Sequence, residues 1–199
     1  MKNITPEFAE ILGLLCAEGS HIVSYSSYWG KDRGRDRFFK NDKSERVEFS
    51  NNDYKLLKHY KRLLFKEFNY APNITKHNKV NICKISIINK IINETPIGHL
   101  KWRVPQSVLK SNNEVKSTFL RGFFDGDGTA SKSIRFFSSN LHGLNQVSKL
   151  LNDIKIKHNP QGPEIKEGRK PSYILYIKER ERERFLKTIR PISKRPDNF

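Results

Sequence analysis

The chain has 199 residues, enough for one large domain or two small fused ones, and 38 lysines and arginines against 21 acids leave it a net charge of +17. That excess is the electrostatic footprint of a polyanionic partner. A membrane, the rival polyanion, is not expected: no apolar run approaches the roughly 20 residues of a spanning helix, and Glu7 and Glu10 stand beside the first apolar stretch, which has neither the basic lead nor the cleavage site of a signal peptide.

A soluble intracellular protein is therefore expected, cytoplasmic in a prokaryotic host and organellar in a eukaryotic one. Thr5 as N-cap and Pro6 at the first helical position open a helix that runs to Glu18. His21 to Trp29 mixes β-type residues with serines, as a half-exposed strand does. Lys31 to Lys40 reads as a basic loop containing Gly34, Phe38 and Phe39, either a solvated hairpin tip or a phosphate contact. Glu45 to Ser50 alternates polar and apolar and is the returning strand. Asn51-Asn52-Asp53 caps a helix whose Leu56, Leu57, Tyr60, Leu63, Leu64 and Phe68 share one face, with lysines and Arg62 on the other. A second hairpin, 72–77 with 80–87, is expected around Asn78-Lys79. A short helix over 88–93 follows, then a connector broken by Pro96, Gly98 and Pro105. Cys16 and Cys83, the two cysteines, lie in apolar-patterned elements and read as small core fillers, with no zinc site or disulfide framework.

The order repeats after Gly128. Thr129 to Lys132 and 134–138 form a short hairpin, and Asn140 starts a helix carrying Leu144, Val147, Leu150 and Leu151. Ile154 to Lys157 leads to a third strand, the glycine- and proline-containing stretch 159–168 is a loop, 172–177 is a strand, and 179–189 is a closing helix with a solvated Glu–Arg face.

Two segments organise this repeat. Glu10-Ile-Leu-Gly-Leu-Leu-Cys-Ala-Glu18-Gly19 superposes on Phe119-Leu-Arg-Gly-Phe-Phe-Asp-Gly-Asp127-Gly128 with an offset of 109, Gly13 on Gly122 and Glu18 on Asp127. Small residues recur every fourth position, Ala9, Gly13 and Ala17 in one copy and Thr118, Gly122 and Gly126 in the other. On a helix they form a stripe without bulk, and two such stripes can pack closer than the usual ~8–10 Å between axes. Each helix closes on an acid and then a glycine. A carboxylate there opposes the helix dipole by about 0.3–1 kcal/mol, and two side by side repel. Either acid alone is an ordinary solvated helix end; both in register fit a divalent cation held by carboxylates and phosphate oxygens. Ser50 and Ser138 align with an offset of 88, against 109 for the motifs, so the first half carries 21 extra residues, which fall in the Ser20–Arg46 hairpin.

The paired segments resemble the motifs of the LAGLIDADG homing endonucleases, in the single-chain form with both copies in one polypeptide. The resemblance implies an α+β fold of two pseudo-symmetric αββαββα halves, 1–93 and 114–199 around a connector 94–113, whose antiparallel sheets form a saddle over the major groove of a long asymmetric double-stranded DNA target. It implies a monomer that hydrolyses one phosphodiester per strand with Mg²⁺, with Mn²⁺ able to substitute and Ca²⁺ binding without supporting cleavage. Metal ligands would be Glu18 and Asp127 with the carbonyls of Ala17 and Gly126. Asn51 and Ser138 would sit by the attacking water, and Lys90 and Lys178 are candidates to polarise the phosphates. Ser24, Ser26, Tyr28, Arg46, Glu48, His77, Asn81, Arg135, Arg169 and Tyr173 are candidate DNA contacts. Cys16 departs from the motif, which has an acid there, as does the second copy at Asp125; that acid is not the family's metal ligand. The scaffold also admits a maturase that binds intron RNA, a regulator that binds DNA without cutting, or a purely structural duplicated protein, the last leaving charge and paired acids unexplained.

Overall fold

The computed structural model describes residues 4–131 and 133–194. Chain order gives α1 (Pro6–Glu18), β1 (Gly19–Asp32), β2 (Arg35–Ser50), α2 (Tyr54–Phe68), β3 (Lys79–Ile82) and α3 (Ile85–Glu94), then α4 (Gln106–Leu109) in the connector. The second series is α5 (Asn113–Asp127), β4 (Gly128–Ala130), β5 (Ile134–Ser138), α6 (Leu141–Asp153), β6 (His158–Glu164), β7 (Ser172–Ile177), a 3-10 turn at Glu179–Glu181 and α7 (Arg182–Ile189). The strands make two antiparallel sheets, ordered β1-β2-β3 and β4-β5-β7-β6. Two halves of mixed helix and antiparallel sheet thus flank one helix pair, the architecture expected from the sequence. No helix among the described residues is long and apolar enough to cross a membrane.

The pair is α1 and α5. Thr5 Oγ1 accepts from Phe8 N at 3.1 Å to start α1, and Asn112 Oδ1 accepts from Val115 N at 3.0 Å to start α5. A Cβ on Gly13 would fall on the Phe119 carbonyl oxygen, and one on Gly122 would fall on the Glu10 carbonyl oxygen. The next neighbours are Phe123 N for Gly13 and Leu14 N for Gly122, each at 2.9 Å. The offset of 109 carries Phe119 and Phe123 onto Glu10 and Leu14, so the contacts obey a pseudo-twofold axis through the pair. Gly19 and Gly128 close the two helices in extended backbone, φ −87° and −86°. They are needed for room rather than for left-handed geometry, since a Cβ would strike the Leu15 carbonyl in one case and the Phe124 ring in the other.

Leu12, Leu15, Val47, Phe49, Tyr60 and Leu64 pack on one side of the pair and Phe123, Phe124, Phe136, Leu150 and Phe185 on the other, within one continuous core. A second bond system crosses the axis. Arg121 donates to both oxygens of the buried Glu10, which also pairs with His59 at 2.6 Å, and Arg62 contacts His59 at 2.8 Å. Burial drives the Glu10 pKa up, but His59 and Arg121 together hold it below the usual range.

Four local expectations change. The stretch 31–40 is not a loop: β1 and β2 run as one long ribbon to a two-residue turn, Arg33-Gly34, with positive φ at both positions, the geometry that matches strand twist. Gly19 pairs with Phe49, 30 residues on, and Gly128 with Phe136, 8 residues on, so the first hairpin is longer by 22 residues, one more than expected, because Phe49 corresponds to Phe136 rather than to Phe137; the extra length lies in the hairpin where it was expected. Segment 72–77 contributes only the bridge Ile74↔Val80, so the first sheet has three strands, and α3 begins at Ile85. Much of 159–168 is strand β6, which tolerates Pro160 and Pro163 because it is an edge. Cys83 is exposed rather than core, whereas Cys16 is buried. Lys132 lies outside the described residues.

Because Gly122 faces a carbonyl, Gly122→Ala should destabilise by about 1–3 kcal/mol through overpacking, although at an exposed helical site the same change gains roughly 1 kcal/mol. Denaturant unfolding of the variant gives the sign; a stabilised Gly122→Ala contradicts the backbone contact.

Candidate active site

Helix α1 delivers Glu18 and α5 delivers Asp127 to the same end of the pair, where a Cβ on Gly126 would overlap that of Ala17 and come within 3.3 Å of Glu18 Cγ. Glu18 is exposed and Asp127 is half-buried. Burial raises both pKa values. Asp127 reaches about 7, with the Glu18 charge adding to burial and Lys194 opposing. The sequence reading missed Lys194: its Nζ donates to the Gly126 carbonyl at 2.5 Å. Burial lowers its pKa, against the pull of Asp127, Glu18, Asp125 and Asp53. One cationic group thus already sits on the Gly126 carbonyl within the field of the two carboxylates. Among the described residues no group of three or more His, Cys, Asp or Glu side chains could hold a metal. The hard oxygen donors Glu18, Asp127 and the Gly126 carbonyl fit Mg²⁺ if phosphate and water oxygens complete the shell.

Glu18, Gly126 and Lys194 border an open cleft of about 510 Å³ lined also by Asn51, Asp53, His77 and Ser193. Asn51 Oδ1 accepts from Asp53 N at 2.8 Å, and Ser138 Oγ accepts from Asn140 N at 3.0 Å, so the two hold matching turns before α2 and α6. Lys90 is not brought here. It lies on α3, ion-paired with Glu67 at 2.7 Å and stacked on Phe8 and Phe68. Phe8 is ten residues before Glu18, roughly 15 Å along the helix. Lys178 is also misplaced. Gly128 pairs with Phe136 and Phe136 with Leu175, so Lys178 is three residues, roughly 10 Å, further along the sheet.

Strand alternation sorts the other candidates. Val47, Phe49, Val80 and Ile82 turn to the helices, which places Ser24, Ser26, Tyr28, Arg46, Glu48 and Asn81 together on the opposite face. Glu48 is buried there between Lys79 at 2.8 Å and Arg46 at 3.8 Å and orders these two cations. Tyr28 stacks on Phe39 at 5.2 Å. In the second sheet Arg135 shares the outer face with Tyr176, while Tyr173 pairs with Ser138 on the face of Phe136 and Leu175 and packs on the core. Tyr176, not Tyr173, is the outward tyrosine. Arg169 lies in the exposed loop beyond β6, beside Lys166 and Lys170.

Asp125 was expected to have no ligand role. It is buried, and accepts from the backbone N–H groups of Ile192, Ser193 and Lys194 at 2.9, 2.9 and 3.3 Å. The one signal for Lys194 was indirect: a buried acid in the last turn of α5 needs donors, and helical periodicity supplies none.

The raised pKa of Asp127 has a definite sign. The folded state keeps a proton that the unfolded chain releases near the ordinary value of 3.8, so stability falls as pH rises from there to about 7, and the full cost stands above it. In EDTA at pH 8, Asp127→Asn should raise the unfolding midpoint by about 2–4 °C per kcal/mol regained. The gain should vanish toward pH 4. A midpoint that is unchanged or lower at pH 8 contradicts the burial and repulsion described.

Residues 114–190 match the family model described as a LAGLIDADG-like domain. No curated protein matches the sequence. Among solved structures, mesophilic variants of the homing endonuclease I-DmoI superpose with a TM-score of 0.65 at 21% identity, over 92% of this chain and 95% of that one. I-DmoI in complex with DNA and Mn gives the same score and identity over 92% and 96%. The meganuclease I-SmaMI bound to uncleavable DNA gives 0.56 at 13% identity over 96% and 86%, and the N-terminal LAGLIDADG domain of DUF199/WhiA gives 0.52 at 16% over 95% and 86%. At these identities the likeness to the solved structures is one of fold, and the family model is matched by the second half of the chain.

Proposed function

We propose that the chain is a site-specific homing endonuclease that binds a long, asymmetric double-stranded DNA target across its two sheets and hydrolyses one phosphodiester on each strand, acting as a monomer with divalent metal. The observation that carries this reading is the convergence of Glu18, Asp127 and the Gly126 carbonyl at the open end of the helix pair, with Lys194 on that carbonyl in the field of both acids. Mg²⁺ is the proposed cofactor, with Mn²⁺ as substitute and Ca²⁺ supporting binding alone. Bound there, the metal supplies an activated water and stabilises the leaving oxygen.

The chain's own groups do the rest. Glu18 and Asp127 supply the negative charge that holds the cation, joined by the carbonyls of Ala17 and Gly126. Ser138 uses its oxygen to accept from Asn140, which leaves its O–H to orient a water; the amide N–H groups of Asn51 do the same on the other side. Lys194 is placed to move from the Gly126 carbonyl to a phosphate oxygen. The outer faces, with Ser24, Ser26, Tyr28, Arg46, Asn81, Arg135 and Tyr176, suit the donor and acceptor pattern of the major groove. Arg169 and His77 suit backbone phosphates. The unequal hairpins make the two half-sites unequal in length.

A regulator or an RNA maturase on this scaffold would bind without needing both acids. Here the pair carries a standing electrostatic cost, which a pure binder would shed by losing either one.

The test uses a target recovered from randomised duplexes by binding in Ca²⁺. Affinity should fall with salt at a log-log slope of about −0.9 per phosphate contact, for about 6–10 contacts. On a supercoiled plasmid carrying that target, Glu18→Gln and Asp127→Asn should bind as well as the parent while losing about a hundredfold or more of the cleavage rate in Mg²⁺. Undiminished linearisation by the double variant removes these acids from the reaction. Tight binding by the parent without cutting in Mg²⁺ or Mn²⁺ overturns the endonuclease reading.

A further inference from the structure

The two motif copies differ in the side chain two residues before the terminal acid, Cys16 in one and Asp125 in the other, and the chain passing over each differs to match. Residues 192–194 leave the second half and cross to the first. They turn their N–H groups onto Asp125, Ser193 Oγ donates to Asp53 at the N-cap of α2, and Lys194 lands on the Gly126 carbonyl. The connector makes the converse crossing. Trp102 O accepts from Asn140 Nδ2 at 2.7 Å at the N-cap of α6, but it is the Arg103 carbonyl that faces the Cys16 thiol, at 3.9 Å. A carboxylate accepts hydrogen bonds and draws N–H groups inward; a buried neutral thiol is a weak donor and meets a carbonyl. The basic side chains therefore end differently. Arg103 folds back on the Trp102, Lys101 and Leu100 carbonyls at 2.7, 3.2 and 3.4 Å and on Asn140 Oδ1 at 3.4 Å, whereas Lys194 reaches the Gly126 carbonyl, one residue before Asp127.

We propose that Asp125 is a positioning residue that sets Lys194 in one half-site alone, so that the two DNA strands are cut at unequal rates, the faster being the strand whose phosphate enters the Glu18–Asn51–Lys194 cleft. This rests on the endonuclease reading. In either half-site the water oxygen bonds to phosphorus, one P–O ester bond breaks, the water gives up a proton to solvent and the leaving oxygen takes one from it. Lys194 neutralises charge on a non-bridging oxygen and keeps its proton.

Two measurements test it. In the protein without DNA or metal, amide hydrogen exchange at 192–194 should quicken in Asp125→Cys, which copies the first motif, and stay slow in Lys194→Met. Single-turnover cleavage of a duplex labelled separately on each strand should show parent rates differing by about tenfold or more. Asp125→Cys and Lys194→Met should slow the fast strand by about that factor while the slow strand changes little, and Lys194→Arg should recover part of the fast phase. Equal parent rates, equal slowing of both strands by Asp125→Cys, or unchanged exchange in that variant each overturn the proposal. Parent protein that cuts neither strand in Mg²⁺ or Mn²⁺ overturns the endonuclease reading, and the proposal falls with it.

Discussion

The approach of two helix backbones at Gly13 and Gly122 is the constraint on which the rest of the structure depends. With no side chain between them, each glycine lies against a carbonyl of the other helix, and the ends of α1 and α5 are forced into a common place. That brings Glu18 and Asp127 together and starts one sheet on each side, because β1 and β4 begin at the residue after each acid. A bulkier contact would separate the acids and splay the sheets. The site is thus a by-product of an interface, and its geometry is as stiff as the core beneath it.

Charge is handled in two ways along the same interface. At the closed side Glu10 is buried but doubly answered by Arg121 and His59, which makes the pairing of α1 and α5 one of specific partners as well as of shape. At the open end the acids are left with a partial answer, Lys194, and Asp127 pays by holding its proton to about 7. A protein under no demand at that end would settle it as it settled Glu10. The contrast is what separates a reactive end from a structural one, and it is drawn by residues within a few turns of one another.

Much of this was legible in the sequence because it is periodic. Every-fourth small residues gave the helix pair, apolar faces gave α2 and α6, and the misfit between two offsets located the long hairpin. What escaped has no period. Residues 31–40 look like a loop because a two-stranded ribbon solvated on both faces needs no apolar alternation. Pro160 and Pro163 argued against a strand, yet an edge can spare their missing N–H groups. Tyr173 was assigned to the wrong face, since a strand approached through an irregular loop gives no anchor for its parity. Lys90 and Lys178 follow the last expected strand of each half, but the first of those strands ends at Ile82 and Lys90 lies inside the helix that begins at Ile85. Lys194 belongs to a segment whose path is set by backbone N–H groups meeting Asp125, a contact that residue types alone do not announce.

The two crossing segments also bear on how such a molecule could be taken apart. Each half is finished by chain from outside it: α6 is capped against Trp102, in the connector before the second half begins, and α2 is tied to Ser193, late in the second half. The halves are clasped like two hands, fingers over wrists. A hybrid made by exchanging halves between such proteins, with its joints placed at helix ends, would inherit each motif beside a stranger's clasp. The unit that can be traded is the half together with the few residues of the opposite exit segment, and the seam runs through side-chain contacts rather than along the polypeptide.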